Sequence, residues 1–219
     1  MCLQVKNLSL TLSSGQKVLH QVAFEMAAGE FVVLMGSNGS GKSTLMKVLN
    51  RQYSFSRGSV LLNGKNIKKI PNSRYAKDVI TLTQFVGESL FLDMTVFENA
   101  ELISTLSSKA DLIQHLKKFN SNLVKAIDRP ASELSGGEQQ QLAFALSLTH
   151  RPTLLLLDEH TSALDPKTAE KIMQMTSAYV KAEGITCLMT THHAEFAKRF
   201  GDRHFVMEAG ELSERMSVN

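Results

Sequence analysis

Gly36-Ser37-Asn38-Gly39-Ser40-Gly41-Lys42-Ser43 follows an apolar run, Phe31-Val32-Val33-Leu34-Met35, and precedes a helical pattern through Leu45, Val48 and Leu49. The octet fits G-x-x-x-x-G-K-[ST] in the setting that motif requires, a strand before it and a helix after. Glycines let successive backbone N–H groups curl around an anion where a side chain would collide or forbid the dihedrals. The helix that follows directs its positive end at the same anion. Lys42 is placed to reach the β- and γ-phosphates of a nucleotide and Ser43 to ligate Mg²⁺, with Thr44 completing the cradle. A strand–loop–helix unit of this kind implies an α/β fold.

A second chemical feature lies at Leu154-Leu155-Leu156-Leu157-Asp158-Glu159, where two carboxylates end a wholly apolar strand. Ligands bind at strand ends in open parallel sheets. There Asp158 would hold the Mg²⁺ complex and Glu159 would act as general base or orient water. Acids that simply end a strand in solvent are the competing reading, and the pair alone does not separate the two.

The third feature is Leu134-Ser135-Gly136-Gly137-Glu138-Gln139-Gln140. Ser135, Gly136 and Gly137 opening a helix form another anion site, built from free N–H groups, a hydroxyl and a helix N-terminus. One domain with a complete phosphate loop leaves this site without a phosphate of its own. Pairing two chains head to tail gives each such site the other chain's nucleotide.

With these three features in this order, the chain resembles the ABC ATPases over nearly its whole length. The resemblance adds Gln84, after the apolar residues 79–82, as the glutamine that senses γ-phosphate and Mg²⁺. It makes Ser162-Ala163-Leu164-Asp165 the loop that crosses to a partner chain, and His192, in Thr191-His192, the switch histidine on the γ-phosphate. His193 stands where many members have Asp and is read as a neighbour. His160 stands where most have Pro, and is read as a loop variant or as a group that tunes Glu159. Many relatives stack adenine on an aromatic residue of the N-terminal hairpin. The register puts Leu12 there, which offers no ring, so GTP is expected to be accepted more readily than usual. Gln141 and Leu146 stand where many members carry Arg.

The Asp-Glu-His-Thr variant resembles importer ATPases linked with small solutes, aromatic amino acids among them. The resemblance thus implies a motor subunit that binds and hydrolyses ATP with Mg²⁺, in a homodimer or with a paired ATPase subunit. Its further partners are integral membrane permease subunits and a solute-binding protein, at the cytoplasmic face of the membrane. The apolar residues of 85–98, with Phe85, Leu90, Phe91, Leu92, Met94 and Phe97, are a candidate socket for a membrane subunit, though core packing explains each singly. A soluble ABC ATPase acting on ribosomes or nucleic acid is the alternative. Only about a hundred residues separate phosphate loop and signature, too few for the long coiled coil of chromosome and repair members. A non-hydrolysing scaffold is disfavoured by Glu159 and His192.

Elsewhere the pattern supports the same organisation. Leu8, Leu10 and Leu12, then Val22, Phe24 and Met26, alternate as half-buried strands around a turn at Ser13-Ser14-Gly15-Gln16. A strand over residues 59–62 ends at Asn63-Gly64, a hairpin signal. Helical spacing covers residues 96–125, 142–149, 167–182 and 193–200, and strands are expected at 153–157, 185–190 and 203–207. The alternation in the second half calls for a mostly parallel sheet flanked by helices. The expected domain spans 1–219: residues 1–84 and 150–219 form the core with an antiparallel β subdomain, and 85–149 a helical subdomain.

Composition sets the outer limits. Net charge is +3, with Lys and Arg scattered, which gives no nucleic-acid footprint. The densest cluster, Lys65, Lys68 and Lys69, reads as a solvated loop. Two cysteines, Cys2 at the terminus and Cys187 in an apolar strand, suit a reducing compartment without a disulfide. No segment approaches the ~18 consecutive apolar residues of a membrane span. The N-terminus lacks a secretory pattern, so a membrane role is expected to come through a partner.

Overall fold

The computed structural model describes residues 1–83, 89–106 and 108–215. It divides into two units: Met1–Thr81 with Pro152–Glu159 and Ser177–Asn219, and Leu82–Arg151 with His160–Thr176.

In the first unit the apolar runs become the strands of a sheet. β3 (Phe31–Met35), β7 (Leu154–Asp158) and β8 (Thr186–Thr190) pair in parallel, β3 with β8 and β8 with β7, and β9 (Arg203–Glu208) adds in parallel on the other side of β3. β6 (Val79–Thr83), whose last two residues are assigned to the second unit, and β10 (Glu211–Arg215) complete the order β10-β9-β3-β8-β7-β6. The first four residues of β3 and of β7 are all buried, as expected when both faces of a parallel sheet are covered. Register decides what meets at the carboxyl edge: Leu34 and Asp158 both lie opposite Thr190.

A second sheet, in order β2-β1-β4-β5, is antiparallel. β1 (Leu3–Thr11) and β2 (Lys17–Met26) are joined at the expected turn, where Leu12 N–H donates to the Gln16 carbonyl. Leu8 and Leu10 are buried as the alternation requires, but Leu12 lies beyond the strand and is 36% exposed. β4 (Arg57–Leu62) and β5 (Lys65–Asn66) enclose Asn63 and Gly64, with φ of 48° and 75°. Two successive positive φ values form the tight hairpin turn that Asn-Gly favours. Leu8, Val32, Leu34, Leu45, Leu49, Leu154 and Leu156 share one core. α1 (Lys42–Leu49), α2 (Asn72–Asp78) and α8 (Ala194–Phe200) also belong to this unit.

The second unit is helical: α3 (Val96–Ile103), α4 (Lys109–Lys117), α5 (Ser121–Lys125) and α6 (Gly136–Ser147), around a core with Leu112, Leu116, Leu123, Leu142 and Leu146. The single helical stretch expected over 96–125 is thus three helices. Thr95 and Glu98 form a capping box at α3, and Asn99, fully buried, donates to the carbonyls of Phe91, Met94 and Thr95. That amide satisfies the backbone of the loop before α3. α7 (Pro166–Glu183) belongs to both units, dividing after Thr176. α2 and β10 carry no periodic signal and were not expected. β10 is an edge strand with four of five residues exposed, so alternation has nothing to report there.

Candidate active site

The phosphate loop leaves β3 at Gly36, whose φ is 149°. A Cβ there would lie 2.3 Å from the Met207 carbonyl oxygen, so the loop's first position admits glycine alone. Gly41, with φ of 112°, precedes α1, and among the described residues no side chain caps that helix. The first N–H groups of α1 therefore stay available to an anion. Lys42, 4% exposed, extends its ammonium across the loop and donates to the carbonyls of Gly36 (2.7 Å) and Ser37 (2.9 Å). A cavity of about 210 Å³ lies above, lined by Asn38, Gly39, Gly41, Lys42, Ser43 and Thr44, with Glu159 on its wall.

The edges of β7 and β8 bring acids to that cavity. Ser43 Oγ is 3.4 Å from Asp158 Oδ1, which also accepts from Thr190 Oγ1 at 2.6 Å. Thr190 Oγ1 in turn accepts from Glu159 N–H at 3.1 Å. One threonine hydroxyl thus ties both acids to the neighbouring strand. Glu159 takes φ of 52°, the left-handed region, at a cost of ~1–3 kcal/mol for a residue other than glycine. The turn points its carboxylate at His192, whose Nε2 is 2.7 Å from Glu159 Oε1. His192 remains 39% exposed and Glu159 20%, so both reach solvent. His193 lies just ahead of α8, its N–H donating to Thr191 Oγ1 and its ring 5.1 Å from Phe196.

Thr190 was missed by the reading of the sequence. It lies next to the Thr191-His192 pair, but only the β7–β8 register shows that its hydroxyl meets Asp158. Ser43 and Asp158 offer two hard oxygen donors side by side, which fits Mg²⁺, an ion that takes one or two carboxylates and fills its remaining positions with water and phosphate. Gln84, the third expected ligand, lies outside the described residues.

His160 follows Glu159 and is buried. Burial pushes its imidazole down to about 4, and its Nε2 has no hydrogen-bond partner among the described residues. It is therefore neutral near pH 7 and brings no positive charge to Glu159.

The signature lies in the other unit. Ser135 caps α6: its Oγ accepts from Glu138 N–H, and Glu138 Oε2 accepts from Ser135 N–H (3.0 Å) and Oγ–H (2.8 Å). Those bonds hold the Glu138 carboxyl below its ordinary value. The Ser135 hydroxyl of the expected anion site thus already donates to Glu138. The N–H groups of Gly136 and Gly137 precede the first turn bond of α6, from Gln139 N–H to Ser135 C=O, and among the described residues stay open to an anion. Gly137 has a packing reason too, since a Cβ there would lie 2.5 Å from Thr168 Cγ2. In the loop at Ser162-Ala163-Leu164-Asp165, Asp165 accepts from Thr168 N–H at 3.1 Å, a capping bond at the start of α7.

The model of the family described as ABC transporter matches residues 19–162, which takes in the phosphate loop, the signature and the acid pair. The chain belongs to the ABC transporter family. It is an ATP-binding, ATP-hydrolysing subunit of a transporter. The tyrosine transport ATP-binding protein of Clostridioides difficile (strain R20291) is 32% identical over 225 residues, covering 96% of this chain and 90% of that one. Among solved structures, CbiO1 of Clostridium perfringens, part of the ABC transporter complex cbiONQ, superposes with a TM-score of 0.85 at 26% identity, over 97% of this chain and 86% of that one. A dimeric post-hydrolysis state of an ATP-binding cassette bound to ADP and Pi superposes with a TM-score of 0.82 at 27% identity, covering 99% of each chain. The expected fold, an α/β ATPase core with an antiparallel β subdomain, is borne out. A mostly parallel sheet and a separate antiparallel one are both present.

Proposed function

We propose that this ABC ATPase is the motor of an importer for small solutes, working as a nucleotide-sandwich pair beneath membrane subunits. The observation that carries the hydrolytic part is the contact of Glu159 with His192 at 2.7 Å, on the wall of the phosphate-loop cavity. Glu159 accepts a proton from, or orients, the water that attacks the γ-phosphate in line. His192 holds that carboxylate and reaches the γ-phosphate from the β8 edge. Lys42 and the loop N–H groups of residues 36–44 carry the charge of the phosphates. Ser43 and Asp158, with Gln84, are the residues that would hold Mg²⁺; when bound, it neutralises phosphate charge.

Ser135, Gly136 and Gly137 complete the partner's site. The N–H groups of Gly136 and Gly137 fit a phosphate, while the capping box, which engages the Ser135 N–H and hydroxyl, fixes the helix end that presents them. Closure on ATP and opening after hydrolysis is then the work delivered to the transporter, a nucleotide-driven switch. The dimeric neighbour bound to ADP and Pi and the neighbour from the cbiONQ transporter complex support this arrangement. Phe91, Leu92 and Met94 are 54%, 37% and 38% exposed, as a socket for a membrane subunit requires, whereas Leu90 is buried in the helical core. Phe85 of the expected socket lies outside the described residues. The tyrosine transport relative favours an amino acid or similar small solute, which a solute-binding protein would deliver. The ATPase then lies at the cytoplasmic face.

The test is Glu159→Gln. Loss of the base lowers turnover by ~10²–10⁴-fold, while ATP holds the pair closed. Size exclusion under saturating ATP and Mg²⁺ should therefore show a dimer. A Glu159→Gln chain that stays monomeric would refute the two-site arrangement, and one that keeps wild-type turnover would refute the role of Glu159.

A further inference from the structure

Beside the antiparallel sheet lies a cavity that the ATPase chemistry does not use. It measures about 570 Å³, against about 210 Å³ above the phosphate loop. Its walls are the β4–β5 hairpin, the short turn after it and α2, all within the first unit. It also reaches Thr153, at the opposite end of β7 from Asp158. Five residue steps of ~3.3 Å separate the two by ~16 Å, so this is a place apart from the nucleotide.

Lys65, Lys69 and Arg74 line the cavity against a single acid, Asp78. Three cations and one carboxylate leave two positive charges uncompensated. Arg74 Nε is bound to Asp78 Oδ2 at 3.2 Å, a single contact that leaves its terminal N–H groups as further donors. Among the described residues, neither Lys65 nor Lys69 has a carboxylate partner, and both are exposed. Their neighbour Lys68 is turned away, its ammonium 3.8 Å from the centre of the Phe55 ring. The cluster that reads as a solvated loop in the sequence is therefore divided, with two of its three lysines gathered at one cavity.

The rest of the wall is chemically distinct. Asn66 uses its Oδ1 to accept from Lys68 N–H, which leaves its amide hydrogens as donors. Leu61 and Ile70, both partly buried, give an apolar side. We propose that this cavity binds a phosphate monoester that carries a short apolar or glycerol-like portion. A dianionic monoester matches the two spare charges where a carboxylate would leave one unpaired, and lysines and a guanidinium are the side chains that hold phosphate oxygens. The same chemistry is found in a soluble glycerol phosphate and in a phosphatidic acid headgroup.

Two binding measurements separate these sources, each made with the phosphate loop filled by a non-hydrolysable ATP analogue. One is equilibrium dialysis of labelled glycerol 3-phosphate. The other is flotation with phosphatidylcholine vesicles, with and without phosphatidic acid. Binding in the first arm identifies a soluble ligand, and binding only to phosphatidic acid vesicles identifies a lipid headgroup. In either case Lys65→Gln/Lys69→Gln should weaken binding by about tenfold or more, the scale of losing charge-assisted bonds, with ATP turnover unchanged. Absence of binding in both arms overturns the proposal, as does binding that the double variant leaves intact.

Discussion

Acid should weaken this protein through His160. Its folded imidazole titrates at about 4 because burial disfavours the charged form, whereas a histidine in an unfolded chain titrates near ~6.5. Between those values the unfolded chain binds a proton that the folded chain refuses, so stability falls as pH falls. The contribution is fully present above ~6.5, fades as pH drops, and is exhausted near 4. A gap of ~2.5 units corresponds to about 3 kcal/mol in all, of which about 2 kcal/mol disappears between pH 7 and 5. His160→Leu removes the titrating group. It also removes Nε2, a buried atom without a hydrogen-bond partner among the described residues, which costs ~1–3 kcal/mol. The variant should therefore be no less stable than wild type at pH 7.5 and should gain on it by about 2 kcal/mol at pH 5. Urea unfolding of both proteins at pH 7.5, 6 and 5 measures the difference, and comparing the pair cancels the other titrating groups. Parallel stability curves across that range would refute a buried neutral His160.

Two further perturbations address the nucleotide. Leu12, 36% exposed beyond the end of β1, gives adenine no ring to stack on, so competition binding should find ATP and GTP within a few-fold of each other. Leu12→Tyr should tighten ATP by ~2–10-fold, the value of ~0.5–1.5 kcal/mol for an aromatic pair; a strong ATP preference in the wild type would contradict the assignment. Gly36→Ala drives a methyl to 2.3 Å from the Met207 carbonyl at φ of 149°. It should abolish ATP binding in direct titration while the helical unit keeps its signal in circular dichroism, and wild-type affinity would show that the loop yields there.

The sequence went far because the local chemistry of this site is written in short segments. Backbone N–H groups bind phosphate only where glycines permit the turn, so Gly36 to Ser43 announces itself, and the apolar run into Asp158 and Glu159 does the same. Hairpin turns were legible for the same reason: Asn63-Gly64 has few other conformations to adopt. Periodicity was weaker where helices are short, and it merged α3, α4 and α5 into one. It was silent for β10, four of whose five residues face solvent.

Composition, motif order and spacing by themselves determined the α/β class, the nucleotide loop and its family. Tertiary structure decided what those residues touch. That Thr190 joins Asp158 to Glu159 follows from the pairing of two strands that lie 28 residues apart in sequence, from Asp158 to Thr186. Burial of His160, engagement of Ser135 by Glu138, and the division of the lysine cluster around a cavity are likewise outcomes of packing. Hydrogen-bond partners and burial depend on distances between segments, and a linear pattern carries only the chemistry of each segment alone.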